Sequence, residues 1–203
     1  MKNLEDYVES YIAFLDILGF KNKVKKDGFD RIKEIYNIIK TISGDYIDAS
    51  RSNAQIALTR AAEESDVELL NYNKALKLSS IRIMSDSIVI SVPASFDESL
   101  VVVIDICNCI QEMLYEYNPD FTEPILLRGA IAKGNIYINE DMMFGQGLID
   151  AYLAQEHIAV YPRIILSESV IHSGLRVYDS GALLLYGADV HGIYPVETCQ
   201  DEL

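Results

Sequence analysis

The sequence predicts an α+β fold whose elements run strand, helix, strand, strand, helix, strand, and three patterns predict it. Short apolar runs that end at glycine or serine mark strands. Two longer segments carry apolar residues at helical spacing, and a Ser-Asp pair joins two strand-like runs.

In chain order, Tyr11 to Leu18 (YIAFLDIL) is a short apolar run closing on Gly19, the pattern of a buried strand. Phe29 to Ile42 places Phe29, Ile32, Ile35, Tyr36, Ile39 and Ile42 on one helical face, with Gly44 as the stop signal. The polar stretch 45–73 has weak periodicity and reads as a flexible insertion or as a short helix over 55–70. Leu78 to Met84 and Ser87 to Val92 read as two strands joined by a tight turn at Ser85-Asp86. Asp97 to Tyr117 repeats apolar residues at i+3 and i+4, and Asn118-Pro119 ends that helix.

Ile125 to Ala132 is a further apolar strand, after which Gly134 and Asn135 are expected to turn the chain into Ile136 to Asn139. Gly145 to Glu156 reads as a helix and Ile164 to Ser167 as a strand. A small β-rich C-terminal extension follows, punctuated by Gly174, Gly181, Gly187 and Gly192. This order is that of a ferredoxin-like βαββαβ core, an antiparallel sheet with helices on one face. The 203 residues read as a single domain, 1–203.

Half the residues are hydrophobic, enough for a core without disulfides or structural metal. A net charge of -14 excludes a broad nucleic-acid-binding face, which needs clustered Lys and Arg. The apolar runs are too short to span a membrane, and the charged start, Met1 to Glu9, is not expected to act as a leader. Cys107, Cys109 and Cys199 form no zinc pattern, which points to a reducing, cytoplasmic setting. His157, His172 and His191 are scattered, and no phosphate loop of the G-x-x-x-x-G-K-[ST] kind is present.

Two carboxylates carry the chemistry. Asp16 interrupts a run that otherwise asks for burial, and Asp86 sits at the hairpin junction. In a ferredoxin-like sheet the first strand lies beside that hairpin, so the two side chains converge. Converging carboxylates without a nearby lysine call for a divalent cation, and Mg²⁺ or Mn²⁺ suits oxygen donors and phosphates. The plainer alternative for Asp86 is a turn residue.

These motifs resemble those of the class III nucleotide cyclases. Phe14-Leu15-Asp16-Ile17-Leu18-Gly19-Phe20 is similar to their first metal motif, F-x-D-I-x-x-F. Ser85-Asp86-Ser87-Ile88-Val89-Ile90 takes the place of their G-D-S hairpin, with Ser85 for the glycine. Leu127 to Gly134 resembles the L-R-x-G-I-x-x-G strand apart from the position of the first glycine, and Gly145 to Glu156 with Ile165-Leu166-Ser167 looks like the following helix and strand. The resemblance spans roughly Tyr11 to Ser169.

It implies that Asp16 and Asp86, with the Ile17 carbonyl, ligate two metal ions, Mn²⁺ or Mg²⁺. It further implies that Phe14, Leu18, Gly19 and Phe20 line the nucleotide, and that Arg128 pairs with its terminal phosphates. The reaction implied is conversion of a nucleoside triphosphate to a 3′,5′-cyclic nucleotide and pyrophosphate, in a homodimer with composite sites.

The departures bear on the substrate. Arg82 stands where purine cyclases carry a base-reading Lys; an arginine cannot accept from the adenine amino group but donates to the carbonyls of uracil, cytosine or guanine. The family's Asn and transition-state Arg are missing from Leu148 to Glu156, where Tyr152, Gln155 or Glu156 are the candidate stand-ins. Lys133 and Arg163 are the candidate replacement cations. A short chain with this divergent helix looks most like the pyrimidine cyclases of bacterial Pycsar antiviral systems. That resemblance implies UTP or CTP as substrate, an antiphage signal, and a separate effector protein that reads the product. Two alternatives stay open: a non-catalytic nucleotide sensor, and a palm-like metal-dependent nucleotidyl- or phosphotransferase.

Overall fold

The computed structural model describes residues 7–26, 28–41, 67–116, 125–139, 141–171 and 193–195. The strands are β1 (Tyr7–Ile17), β2 (Ser80–Met84), β3 (Ser87–Pro93), β4 (Leu127–Ile138), β5 (Met143–Phe144), β6 (Ile164–Leu166) and β7 (Ile193–Pro195). The helices are α1 (Phe20–Lys26), α2 (Gly28–Thr41), α3 (Val67–Leu78), α4 (Ser99–Glu116) and α5 (Gln146–His157).

The sheet order is β2-β3-β1-β4-β6-β7, with β5 paired to β4. Each neighbouring pair among the four core strands is antiparallel, as the βαββαβ reading requires. β6 and β7 extend the sheet by parallel pairing, so the whole sheet is mixed. Arg82 on β2 reaches the Asn139 carbonyl just past the end of β4, three strands away, which shows how strongly the sheet curls.

β1 is central and apolar on both faces, because alternate side chains point to opposite sides. Tyr11, Ala13, Leu15 and Ile17 enter the larger core with α2, α3 and α4, whereas Ile12 and Phe14 face α5. Helices therefore cover both faces, which corrects the expected one-sided arrangement. A strand apolar on two sides needs two covers. The principal core is filled by Ile88 and Ile90 of β3, Leu100, Val103, Cys107, Ile110 and Leu114 of α4, and Ile35 and Ile39 of α2.

Three further differences have physical reasons. No turn interrupts β4 at Gly134-Asn135, because β1 pairs with it continuously from Ile17↔Leu127 to Tyr7↔Tyr137. Gly134 instead lets α5 dock: a Cβ there would lie 2.8 Å from the Gly147 Cα. Leu78 ends a helix rather than starting β2, with its side chain 55% exposed beyond the packed face of α3. Of the stretch 45–73, residues 67–73 form the start of α3, and the rest lies outside the described residues. The β-rich extension is represented by β7; His172, His191 and Cys199 lie outside the described residues. Among those described, no helix is long and apolar enough to cross a membrane.

Candidate active site

The site forms where the end of β1 meets the start of β3. Asp16 is level with Ser87 on β3 and with Arg128 on β4. Ser85 and Asp86 make the two-residue turn before β3, and Ser85 takes the left-handed conformation at φ 55°. The Ile17 N–H donates to the Asp86 carbonyl at 3.0 Å, which carries the β1–β3 pairing into the turn. Asp86 is thereby fixed beside Asp16, as the sequence led us to expect.

β1 then leaves the sheet. The Leu18 N–H donates to the Leu126 carbonyl at 2.9 Å, and Gly19 reverses the chain at φ 73°. The Gly19 carbonyl accepts from Asn22 and Lys23 as α1 begins. The Leu18 amide is thus already engaged and is not offered to the phosphates of a nucleotide lining this turn. Those of Gly19 and Phe20 remain the candidates in this turn.

Arg128 donates from Nε to the Asp16 Oδ2 at 3.1 Å. Burial pushes the Asp16 carboxyl above its ordinary range; the Arg128 hydrogen bond and charge oppose this, and the Asp86 charge adds to it. A part-buried carboxylate repelled by a second one is a site short of positive charge. Its hard oxygen donors fit a divalent cation, which Asp16 and Asp86 would hold. Among the described residues no group of three or more His, Cys, Asp or Glu side chains could hold a metal ion. Further ligands would have to come from the Ile17 carbonyl, water or substrate phosphates.

Tyr36 of α2, read from sequence as part of the helix's apolar face, belongs to the site. Its hydroxyl donates to the Ser85 carbonyl, and its ring meets Phe20 edge-on at 6.0 Å. Burial and the nearby Asp86 charge raise its pKa, against the lowering effect of the Ser85 bond. The available signal was a hydroxyl on a face of isoleucines, which needs a polar partner at its tip.

Other expected residues are dispersed. The Phe14 ring is buried and packs edge-on against Tyr152 at 5.4 Å, so it serves the β1–α5 core rather than facing the nucleotide. Arg82 donates from Nη2 to the Asn139 carbonyl at 3.2 Å and is not brought to Asp16 within this chain. Lys133 is level with Tyr11, on the face opposite Asp16, where it pairs with Glu9 at 3.4 Å and lies over the Tyr11 ring. That removes Lys133 as a replacement cation within the chain. Arg163 lies at the correct end of the sheet: its carbonyl accepts from Gly129, next to Arg128, and its guanidinium lies over Tyr161.

Of the helix candidates, Tyr152 and Glu156 are exposed and interact with each other. Gln155 is 3% exposed, and its Nε2 has no hydrogen-bond partner among the described residues. It continues the buried stripe of α5 that runs through Gly147 and Ala151.

No family model and no curated protein matches the chain. Solved structures do. The guanylyl cyclase Cya2 matches with a TM-score of 0.51 at 12% identity, over 83% of this chain and 79% of that one. The adenylyl cyclase CyaB from P. aeruginosa matches with a TM-score of 0.51 at 10% identity, over 84% and 82%. The monomeric guanylyl cyclase domain of the RhoGC fusion protein from the aquatic fungus Blastocladiella emersonii matches at 0.50 and 14% identity, over 82% and 84%. At such identities the likeness is one of fold: the chain has the α+β fold of class III cyclase catalytic domains.

Proposed function

We propose that the chain is a nucleotide cyclase, converting a nucleoside triphosphate to a 3′,5′-cyclic nucleotide and pyrophosphate. The observation that carries this reading is the juxtaposition of Asp16, Asp86 and Arg128 at one end of β1, β3 and β4. Asp16 and Asp86, with the Ile17 carbonyl, would hold the two Mn²⁺ or Mg²⁺ ions. Such ions, when bound, neutralise phosphate charge and acidify a ribose hydroxyl. Arg128 is a planar fork suited to terminal phosphates, and a cation held at Asp16 would leave its guanidinium available to them. The amides of Gly19 and Phe20 lie at the same end, and Gln155 and Arg163 supply donors in place of the family's Asn and Arg. In the reaction the 3′-oxygen bonds to the α-phosphorus while the bond to pyrophosphate breaks, and the hydroxyl proton leaves to solvent.

A homodimer with composite sites is part of this reading. Arg82 is held by the Asn139 carbonyl, whereas Arg128 is the cation bonded to Asp16, a division that suits base reading by one subunit over the metal pair of the other. The exposed apolar residues of α5, Ile149 at 50%, Tyr152 at 42% and Leu153 at 42%, are suitable contacts for a second copy. Arg82 donates to base carbonyls, which uracil, cytosine and guanine all carry, and the sequence resemblance favours a pyrimidine among them, UTP or CTP. An antiphage signal read by a separate effector in the cytoplasm follows from the sequence resemblance alone.

The missing Asn/Arg pair favours a second reading, a nucleotide sensor without turnover. Incubation with Mn²⁺ and each of the four ribonucleoside triphosphates distinguishes them. The cyclase releases pyrophosphate and one cyclic monophosphate, with a pyrimidine preferred, and Arg82→Lys weakens that preference. Tight binding with no turnover of any triphosphate would replace the cyclase by the sensor.

A further inference from the structure

We propose that Tyr36 is a positioning residue whose hydroxyl, by holding the Ser85 carbonyl, sets the turn that aims Asp86 at Asp16. This rests on reading the two aspartates as a cation-binding pair. The turn needs such a restraint for three reasons. Ser85 occupies the left-handed region at φ 55°, which a residue with a Cβ adopts only at a cost. Asp86 is drawn toward Asp16 by the backbone bond from Ile17, yet the two carboxylates repel. Finally, Met84↔Ser87 is the last pair of the β2–β3 ladder, so that ladder does not itself hold Ser85.

Tyr36 opposes the relaxation of this turn from outside the sheet. Its hydroxyl takes the Ser85 carbonyl, and its ring is braced edge-on by Phe20, the first residue of α1. Phe20 directly follows the Gly19 reversal at the end of β1. The Tyr36–Phe20 contact therefore ties both flanks of the carboxylate pair, the turn after β1 and the turn before β3, to one helix. The arrangement acts through the backbone of Ser85, and Tyr36 itself need touch neither cation nor substrate.

The test is Mn²⁺ binding to the full chain, without nucleotide, followed by electron paramagnetic resonance. Tyr36→Phe keeps the ring and its packing and removes only the hydroxyl. Mn²⁺ affinity falls about five-fold, the worth of one hydrogen bond. In that background Ser85→Gly restores affinity to within about two-fold of the native protein, because glycine takes positive φ without strain. Hydrogen exchange at the amides of Asp86 and Ser87 is faster in Tyr36→Phe than in the native chain, a readout that holds even if the affinity change is small. Native-like affinity and exchange in Tyr36→Phe, or failure of Ser85→Gly to restore binding, overturns the inference. Asp86→Ala separates the two levels: if it binds Mn²⁺ undiminished, the cation reading falls and the inference with it. If binding needs Asp86 but ignores Tyr36, only the inference falls.

Discussion

Replacing Asp16 by Asn should stabilise the cation-free protein and destabilise it relative to the native chain once Mn²⁺ is present. The Asp16 carboxyl titrates above its ordinary value of 3.8 because burial and the Asp86 charge outweigh the help from Arg128. A carboxyl with a raised folded-state pKa holds its proton more tightly when folded than when unfolded. Stability is therefore lost as pH rises through the window above 3.8, and at neutral pH the ionised Asp16 is a net burden. Asparagine retains an oxygen for the Arg128 Nε, now at 3.1 Å from Oδ2, and removes the repulsion with Asp86. Relief of such a functional charge conflict is worth about 1 kcal/mol, or about 2–4 °C in Tm for a chain of this size.

Mn²⁺ reverses the order. At about 100 times its Kd a cation bound only to the folded state adds about 2.7 kcal/mol, which Asp16→Asn largely forfeits. Differential scanning calorimetry at pH 7 and near pH 3.5, with and without Mn²⁺, measures all four cases. The stabilising effect of Asn should shrink at the lower pH, where the carboxyl is mostly protonated in both states. A native chain that is already the more stable without Mn²⁺ would refute the reasoning, because the Asp16–Arg128 pair would then be a structural tie. Equal Mn²⁺ stabilisation of both proteins would refute it as well.

Asp105→Asn is the matched control. Burial raises the Asp105 carboxyl against the bond from Tyr72 at 2.8 Å, so this substitution also stabilises at neutral pH but leaves the Mn²⁺ response unchanged. Gly134→Ala would set a Cβ 2.8 Å from the Gly147 Cα and 2.9 Å from its nitrogen. Backbone cannot yield as a side chain does, so α5 shifts at a cost of about 1–3 kcal/mol, read as a lower Tm with weakened turnover. Leu153→Asp on the exposed face of α5 should shift sedimentation from dimer to monomer and abolish turnover, while leaving Mn²⁺ affinity intact.

What was legible in the sequence follows from where each residue sits. Tyr11 to Ile17 is buried almost throughout, so its apolar run marks β1, whereas Tyr7, Val8 and Glu9 are exposed and extend the strand by pairing with β4 without an apolar signal. α1 (FKNKVKK) buries no residue, and a helix without a buried face leaves no periodic signal. Gly134 reads as a turn in the sequence because glycine marks both turns and close approaches, and only the position of Gly147 decides between them. Asp16 and Asp86 were visible since a carboxylate in an apolar strand and one in a tight turn both break a pattern. Tyr36 was hidden for the opposite reason, its ring fitting the apolar face of α2 while its hydroxyl reaches a turn 49 residues away in sequence.

Turnover in Mn²⁺ by the native chain, Asp16→Ala and Asp86→Ala, each given the preferred triphosphate and resolved by chromatography, tests the central claim most directly. The account predicts equal amounts of a cyclic monophosphate and pyrophosphate from the native chain. Each substitution should reduce that rate by at least about 100-fold, because a bound cation supplies several kcal/mol of charge stabilisation. Native-level production of the cyclic nucleotide by either variant, or release of a linear monophosphate or orthophosphate in its place, would contradict it.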